Sequence, residues 1–207
     1  TAASAVMGNY FLPDIIAEFS KTYPLINIRL EMGDSAHVTE LVEKGAADLA
    51  LSRHVEGLKN CHQELLSKEP YVCVCSPTFP LAALKKAITP EEFGKNYLVM
   101  RQRGSRMRSK IEEWFGSVGA SEFLSAPLIE VNSLESSKHL IQSGIGMAAF
   151  PLVAVKEEIK QEKLLEVHVK NFSVTADYFL GINPNQDLSP AAFQFISLLK
   201  NKTSGTD

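Results

Sequence analysis

Four short polar stretches hold the residues best suited to chemistry: Ser4, Gly33-Asp34-Ser35, Arg103-Gly104-Ser105 and Asn132-Ser133. Each stands just before a run whose apolar residues recur at helical spacing. A helix start leaves amide donors without intrahelical partners and carries about half a positive charge. Hydroxyls and glycine beside such donors suit a small carboxylate, sulfate or phosphate. The chemistry offered is therefore binding. The plain alternative is that each Ser, Asp or Asn is an N-cap contributing about 1 kcal/mol, with no ligand involved. Four such loops in one chain favour a shared ligand. Asp34 argues the other way: a carboxylate at a cap fills the donors and repels an anion, so turned toward the ligand it would favour an amine-bearing or neutral one.

A second charged stretch, RQRGSRMRSK, carries Arg101, Arg103, Arg106, Arg108 and Lys110, with Glu112 and Glu113 close behind. Its spacing divides the charges between a loop and several helix faces. A solvated helix face is expected, with Arg103 or Arg106 reaching an anion. No catalytic residue is nominated, since the chain has no G-x-S-x-G elbow, no P-loop and no paired-histidine zinc motif. The histidines, His37, His54, His62, His139 and His168, have no recurring partner, and His37 with Glu40 reads as a helix-surface pair. Cys61, Cys73 and Cys75 lack framework or zinc-knuckle spacing and read as reduced, small apolar residues. No metal or cofactor is expected.

The elements that must position these residues alternate. Residues 8–23 carry Tyr10, Phe11, Ile15, Ile16 and Phe19 at close to helical spacing, with Pro13 and Asp14 in the first turn. Residues 26–32 alternate apolar and polar, predicting a strand. A helix capped by Asp34 or Ser35 then buries Val38, Leu41 and Val42 and stops at Gly45, before a strand at residues 48–51. Further strands are expected at 71–75, 97–100, 128–131, 164–169 and 178–182, and helices at 90–93, 107–115 and 190–199. Strands and helices in alternation predict parallel sheets covered by helices. In such sheets ligands lie beyond the carboxyl ends of the strands, where the four polar stretches fall.

One unit occurs twice. Setting DSAHVTELVEKGAADLALS over SLESSKHLIQSGIGMAAFP places Asp34 over Ser133, Leu41 over Leu140, Val42 over Ile141 and Gly45 over Gly144. Each copy reads as a capped helix, a glycine stop and a buried strand. The predicted class is α/β, with two Rossmann-like lobes and a cleft between them: residues 1–76 begin lobe I, 77–171 form lobe II, and 172–207 return to lobe I.

Composition is compatible with this. The 207 residues are 45% hydrophobic and 22% charged with formal net charge −3, ordinary for a chain able to bury a core. No apolar run reaches the roughly 18–20 residues of a membrane helix, and a basic signal-peptide start is missing. Slight acidity argues against a free-standing nucleic-acid surface. A start at Thr1, in what reads as the end of a strand, suggests a piece of a longer protein.

The ordered set AASAVMGNYFLPDIIAEFSKTYPLINIRLEMGDS, LVEKGAADLALS, EPYVCVCSPTFPLA, RGSRMRSKIEEWF and LIQSGIGMAAFP resembles the effector-binding domain of LysR-type transcriptional regulators, which has a type 2 periplasmic-binding-protein-like fold. The resemblance covers nearly the whole chain. It implies a cytoplasmic, non-enzymatic ligand-sensing domain that binds a small polar or anionic effector in the interlobe cleft through Ser4, Asp34, Ser35, Arg103, Gly104, Ser105, Asn132 and Ser133. It also implies homo-oligomers, a dimer or a full-length tetramer, pairing the helix at 13–23 of one copy with the helix at 135–143 of another. DNA would be bound only through a winged helix-turn-helix preceding this chain. The family commonly has threonine, serine or glycine where Asp34 stands. A free-standing solute-binding protein of the same fold is the alternative.

Overall fold

The structure, a computed structural model, describes residues 1–53, 61–83, 86–125 and 128–204; His54 lies outside them. The chain divides into two compact units, residues 1–69 with 176–207 and residues 70–175. The sequence places the crossings near Ser76 and Phe172; in the structure they fall within β4 (His62–Cys75) and at the start of β9 (Thr175–Ile182).

In unit 1, β1 (Ala2–Ser4) is flanked on both sides by parallel partners, β2 (Glu31–Gly33) and β3 (Ala50–Ser52), and β3 is antiparallel to β9. Helical backbone begins directly after Ser4, passes through a π-helical segment at Met7–Phe11 and continues as α1 (Leu12–Thr22). Leu12, Ile15 and Phe19 are buried, and Phe19 meets Phe195 of α7 (Pro190–Ser204) edge-on at 5.1 Å. Between β2 and β3 runs α2 (Ser35–Glu43), whose Val38 and Val42 pack with Ala2, Ala47 and Ala50.

The strand expected at residues 26–32 shortens to β2. Ile26, Ile28 and Leu30 are half-buried while Asn27 and Arg29 are exposed, so the period-two pattern is present in the side chains. Residues 26–30 nevertheless make no ladder, because alternation reports which face is covered and not whether a neighbouring strand exists.

Unit 2 is also a mixed sheet. β5 (Leu98–Arg101) lies parallel to β6 (Leu128–Val131) and β7 (Met147–Pro151), while Tyr71–Cys75 of β4 runs antiparallel to β7 and to β8 (Leu165–Val167). The purely parallel sheets expected from the alternation therefore gain antiparallel members, contributed by the strands at which the chain changes unit. α3 (Pro90–Gly94) starts with a reciprocal capping box between Thr89 and Glu92. α4 (Arg106–Ser117) buries Ile111, Trp114 and Phe115, and Trp114 donates its indole N–H to the Asn171 carbonyl at 2.8 Å. α5 (Leu134–Gln142) leads into β7, and α6 (Lys156–Lys160) follows.

The duplicated unit is visible in detail. Asp34 and Ser133 are both N-caps, Val42 and Ile141 are both fully buried, and Gly45 and Gly144 both stop their helices at φ of 68° and 86°. That left-handed conformation favours glycine. No helix among the described residues is long and apolar enough to cross a membrane.

Candidate functional site

Unit 1 gathers its predicted residues at the carboxyl ends of β1, β2 and β3. Ser4 pairs in register with Gly33, and Ala3 with Leu51, so Ser4 stands beside both the loop into α2 and the end of β3. Ser35 opens α2. Ser52, wholly buried at the end of β3, donates its hydroxyl to Ser35 Oγ at 2.7 Å. Because Ser35 accepts, its own proton is left to be donated outward. Ser4 Oγ is buried with no hydrogen-bond partner among the described residues, as is Thr39 Oγ1 on α2. Buried hydroxyls ordinarily find partners. Ser52 was missed in the sequence, although the rule that selected Ser4, the last residue of a parallel strand, applies equally to it.

Asp34 caps α2: its Oδ1 accepts the His37 amide at 2.8 Å. The His37 ring pairs with Glu31 at 3.2 Å, and Glu40 pairs with Lys44, so the expected His37–Glu40 pair is corrected. Glu31 lies on β2, whose end lies beside α2, whereas Lys44 competes for Glu40 at the favourable i,i+4 spacing.

Unit 2 brings its own set together at the ends of β5 and β6. Gln102 N–H donates to the Val131 carbonyl at 2.9 Å, holding the loop of Arg103, Gly104 and Ser105 beside Asn132 and Ser133. Gly104 adopts φ of 83°, and the space where a Cβ would stand is open. Ser105 is the N-cap residue of α4, but its side chain makes no capping hydrogen bond. Ser133 does cap, accepting the Ser136 amide at 3.3 Å. An open depression next to this loop is lined by Gln102, Glu130, Val131, Asn132 and Ser136.

The basic stretch is only partly a solvated face. Arg103, Arg106 and Lys110 are exposed, but Arg108 is 7% exposed and bonded to Glu112, Glu130 and the Arg101 carbonyl. Burial works against the Arg108 charge, yet the two carboxylates outweigh it and its pKa is raised. The correction has a simple cause: Glu130 on β6 is far away in sequence, so helical spacing could not show that Arg108 turns inward. Arg101 is half-buried and donates through Nη2 to the Asn132 carbonyl at 2.6 Å.

The thiols are free, and Cys73 and Cys75 are buried in β4. Burial pushes the Cys73 thiol well up and that of Cys75 to about 11, which makes both poor nucleophiles.

Two mixed α/β units, each ending its parallel strands in hydroxyl-bearing helix starts, define the architectural class. Comparison with known proteins places it more closely. The family model described as the LysR substrate binding domain matches residues 2–204, and the chain belongs to that family. A probable RuBisCO transcriptional regulator of Cyanidioschyzon merolae is 26% identical over 202 residues, 96% of this chain and 66% of that protein. The curated relatives it matches are spanned over 39% to 66% of their length. The regulatory domain of Synechocystis PCC6803 CcmR in complex with 2-PG superposes with a TM-score of 0.83 at 19% identity, covering 99% of this chain and 96% of that one. The effector binding domain of QuiR in complex with shikimate gives 0.78 at 16% identity, covering 99% and 96%. The fold is therefore that of LysR regulatory domains, the periplasmic-binding-protein-like type expected from the sequence. Regulator relatives do not favour the free-standing solute-binding alternative.

Proposed function

We propose that the effector of this domain is a compact oxygen-rich anion, with Ser4 and Ser35 its contacts in unit 1, Ser52 orienting the Ser35 hydroxyl, and the loops 103–105 and 132–133 the corresponding set of unit 2. The observation carrying this reading is the hydroxyl arrangement of unit 1. Ser52 donates to Ser35, Ser4 Oγ has no partner among the described residues, and α2 starts at Ser35. Such a site offers donors, and donors select acceptors such as carboxylate, phosphate or sulfate oxygens. Asp34 engages one of its oxygens with its own helix, and its charge weakens the attraction of that helix start for an anion without supplying a contact to it. The bound 2-PG of CcmR and the shikimate of QuiR are of the same chemical kind.

In this reading the domain works without catalysis, in the cytoplasm, inside a longer regulator whose N-terminal winged helix-turn-helix grips DNA. Copies pair with α1 of one beside α5 of another, and the effector alters that arrangement by binding one conformation more tightly. A tenfold change in population requires about 1.4 kcal/mol of differential affinity, within reach of a few hydrogen bonds.

Titration calorimetry with shikimate and inorganic phosphate tests the site. Ser4→Ala and Ser133→Ala are each expected to weaken binding by about three- to tenfold, the value of one hydrogen bond. Ser4→Ala should leave stability unchanged, because its hydroxyl has no hydrogen-bond partner among the described residues. Unchanged affinity in both variants would remove these serines from the site.

A further inference from the structure

The hydrogen bonds of β1 start one residue before the strand itself and follow a pattern that continues past it. Thr1 donates its amino group to the Arg29 carbonyl at 3.0 Å and accepts the Glu31 amide at 3.0 Å, while Ala2 donates to the Leu49 carbonyl at 2.8 Å. Successive residues thus bond alternately to the chain entering β2 and the chain entering β3, as in any strand with parallel neighbours on both sides. Ala2 stands opposite Glu31 and Ala50. Counting back in that register, the residue before Thr1 falls opposite Arg29 and Asp48, and the one before that opposite Ile28 and Ala47.

Both flanks offer the groups that these two positions need. The first would donate to the Ala47 carbonyl and accept the Leu49 amide, and the second would donate to the Asn27 carbonyl and accept the Arg29 amide. Among the described residues none of these four groups has a backbone hydrogen-bond partner. Ala47 and Leu49 are buried, and buried backbone groups are ordinarily paired. Between the flanks, within unit 1, lies an open groove whose lining includes Phe19, Ile28, Arg29, Leu49, Ala192 and Phe195. One wall is the segment that alternates as a strand does yet makes no ladder.

We infer that the segment preceding Thr1 in the full-length chain docks in this groove as an extended strand, lengthening β1 toward its amino end between residues 27–29 and residues 47–49. The inference rests on the reading of this domain as part of a longer regulator and adds how the parts are joined. The connection to the DNA-binding module is a strand of the sheet, continuous with the one that carries Ser4, and not a free linker. Side chains two apart in a strand point the same way, so the second residue before Thr1 shares a face with Thr1 and Ile28. An apolar side chain is expected there, toward Phe19 and Phe195.

The test is amide hydrogen exchange at Arg29 and Leu49, compared between the full-length regulator and the 207-residue chain. Both amides are expected to exchange at least tenfold more slowly in the full-length protein, because a strand hydrogen bond must open before its amide exchanges. Proline in place of the second residue before Thr1 removes a donor and is disfavoured inside a sheet, so it should abolish most of that protection. Glycine at the same position keeps the donor, should retain part of the protection, and serves if the proline variant does not fold.

Equal exchange in the two proteins overturns the inference, as does protection at both amides that survives the proline. Protection that appears in the 207-residue chain only as its concentration rises would assign the groove to a strand of a second copy, and overturns it as well. An upstream sequence without a winged helix-turn-helix would remove the regulator reading, and the strand would still be judged by the same two amides.

Discussion

Asp34 and Ser133 occupy equivalent caps, yet only one carries a charge. Asp34 Oδ1 holds the His37 amide, as any N-cap oxygen would, but its negative charge also offsets the positive end of α2. Ser133 caps α5 with a neutral hydroxyl and leaves that end electropositive. Replacing Asp34 by Asn keeps the cap and removes the charge. Asp34→Asn is therefore expected to tighten binding of inorganic sulfate by about two- to fivefold, the 0.3–1 kcal/mol of a charge at a helix end. Calorimetry at low ionic strength measures it, and weaker binding would show that the carboxylate itself contacts the ligand. At this scale the sequence was readable where neighbours in sequence decide the outcome, as at both caps. It was unreadable where a strand residue decides it: Arg108 turns inward because Glu130 is there, and Ser52 matters because β3 lies against β1.

At the scale of elements, the repeated helix, glycine and strand positions both sets of loops. Gly144, which stops α5, and the neighbouring Gly146 would meet different obstacles on gaining a side chain. A Cβ on Gly144 would have a left-handed backbone and Thr78 Oγ1 at 3.1 Å, whereas a Cβ on Gly146 would lie 2.2 Å from the Tyr97 carbonyl oxygen. The second contact is with backbone that cannot step aside, since that carbonyl also accepts the Met147 amide. Urea unfolding should find Gly144→Ala destabilised by about 1–2 kcal/mol and Gly146→Ala by about 3 kcal/mol or more. Equal costs would mean that β7 can move away from β5. Glycine spacing and apolar runs made this unit legible from the sequence alone. The π-helical segment at Met7–Phe11 and the unladdered residues 26–30 were not, because side-chain periodicity is the same whether or not the backbone finds the expected partner.

At the scale of the whole chain, alternating elements and the ordered motifs were enough to give the class, the doubling and the family. What they lacked was the direction of the strands at which the chain passes from one unit to the other. β4 is a single strand of fourteen residues that runs through one crossing, and the lone Pro70 at that boundary does not interrupt the strand as a linker would. The chemistry proposed for the effector is likewise not a property of any one segment, since within each unit the hydroxyls and amides come from separate strand ends.

That combination is what amide NMR can test most directly. On titration with inorganic phosphate or shikimate, the resonances of Ser35, Ala36, Ser105, Arg106, Ser133 and Leu134, at the starts of α2, α4 and α5, are expected to shift saturably. Saturable shifts confined to other parts of the chain, with these six unmoved, would contradict the account.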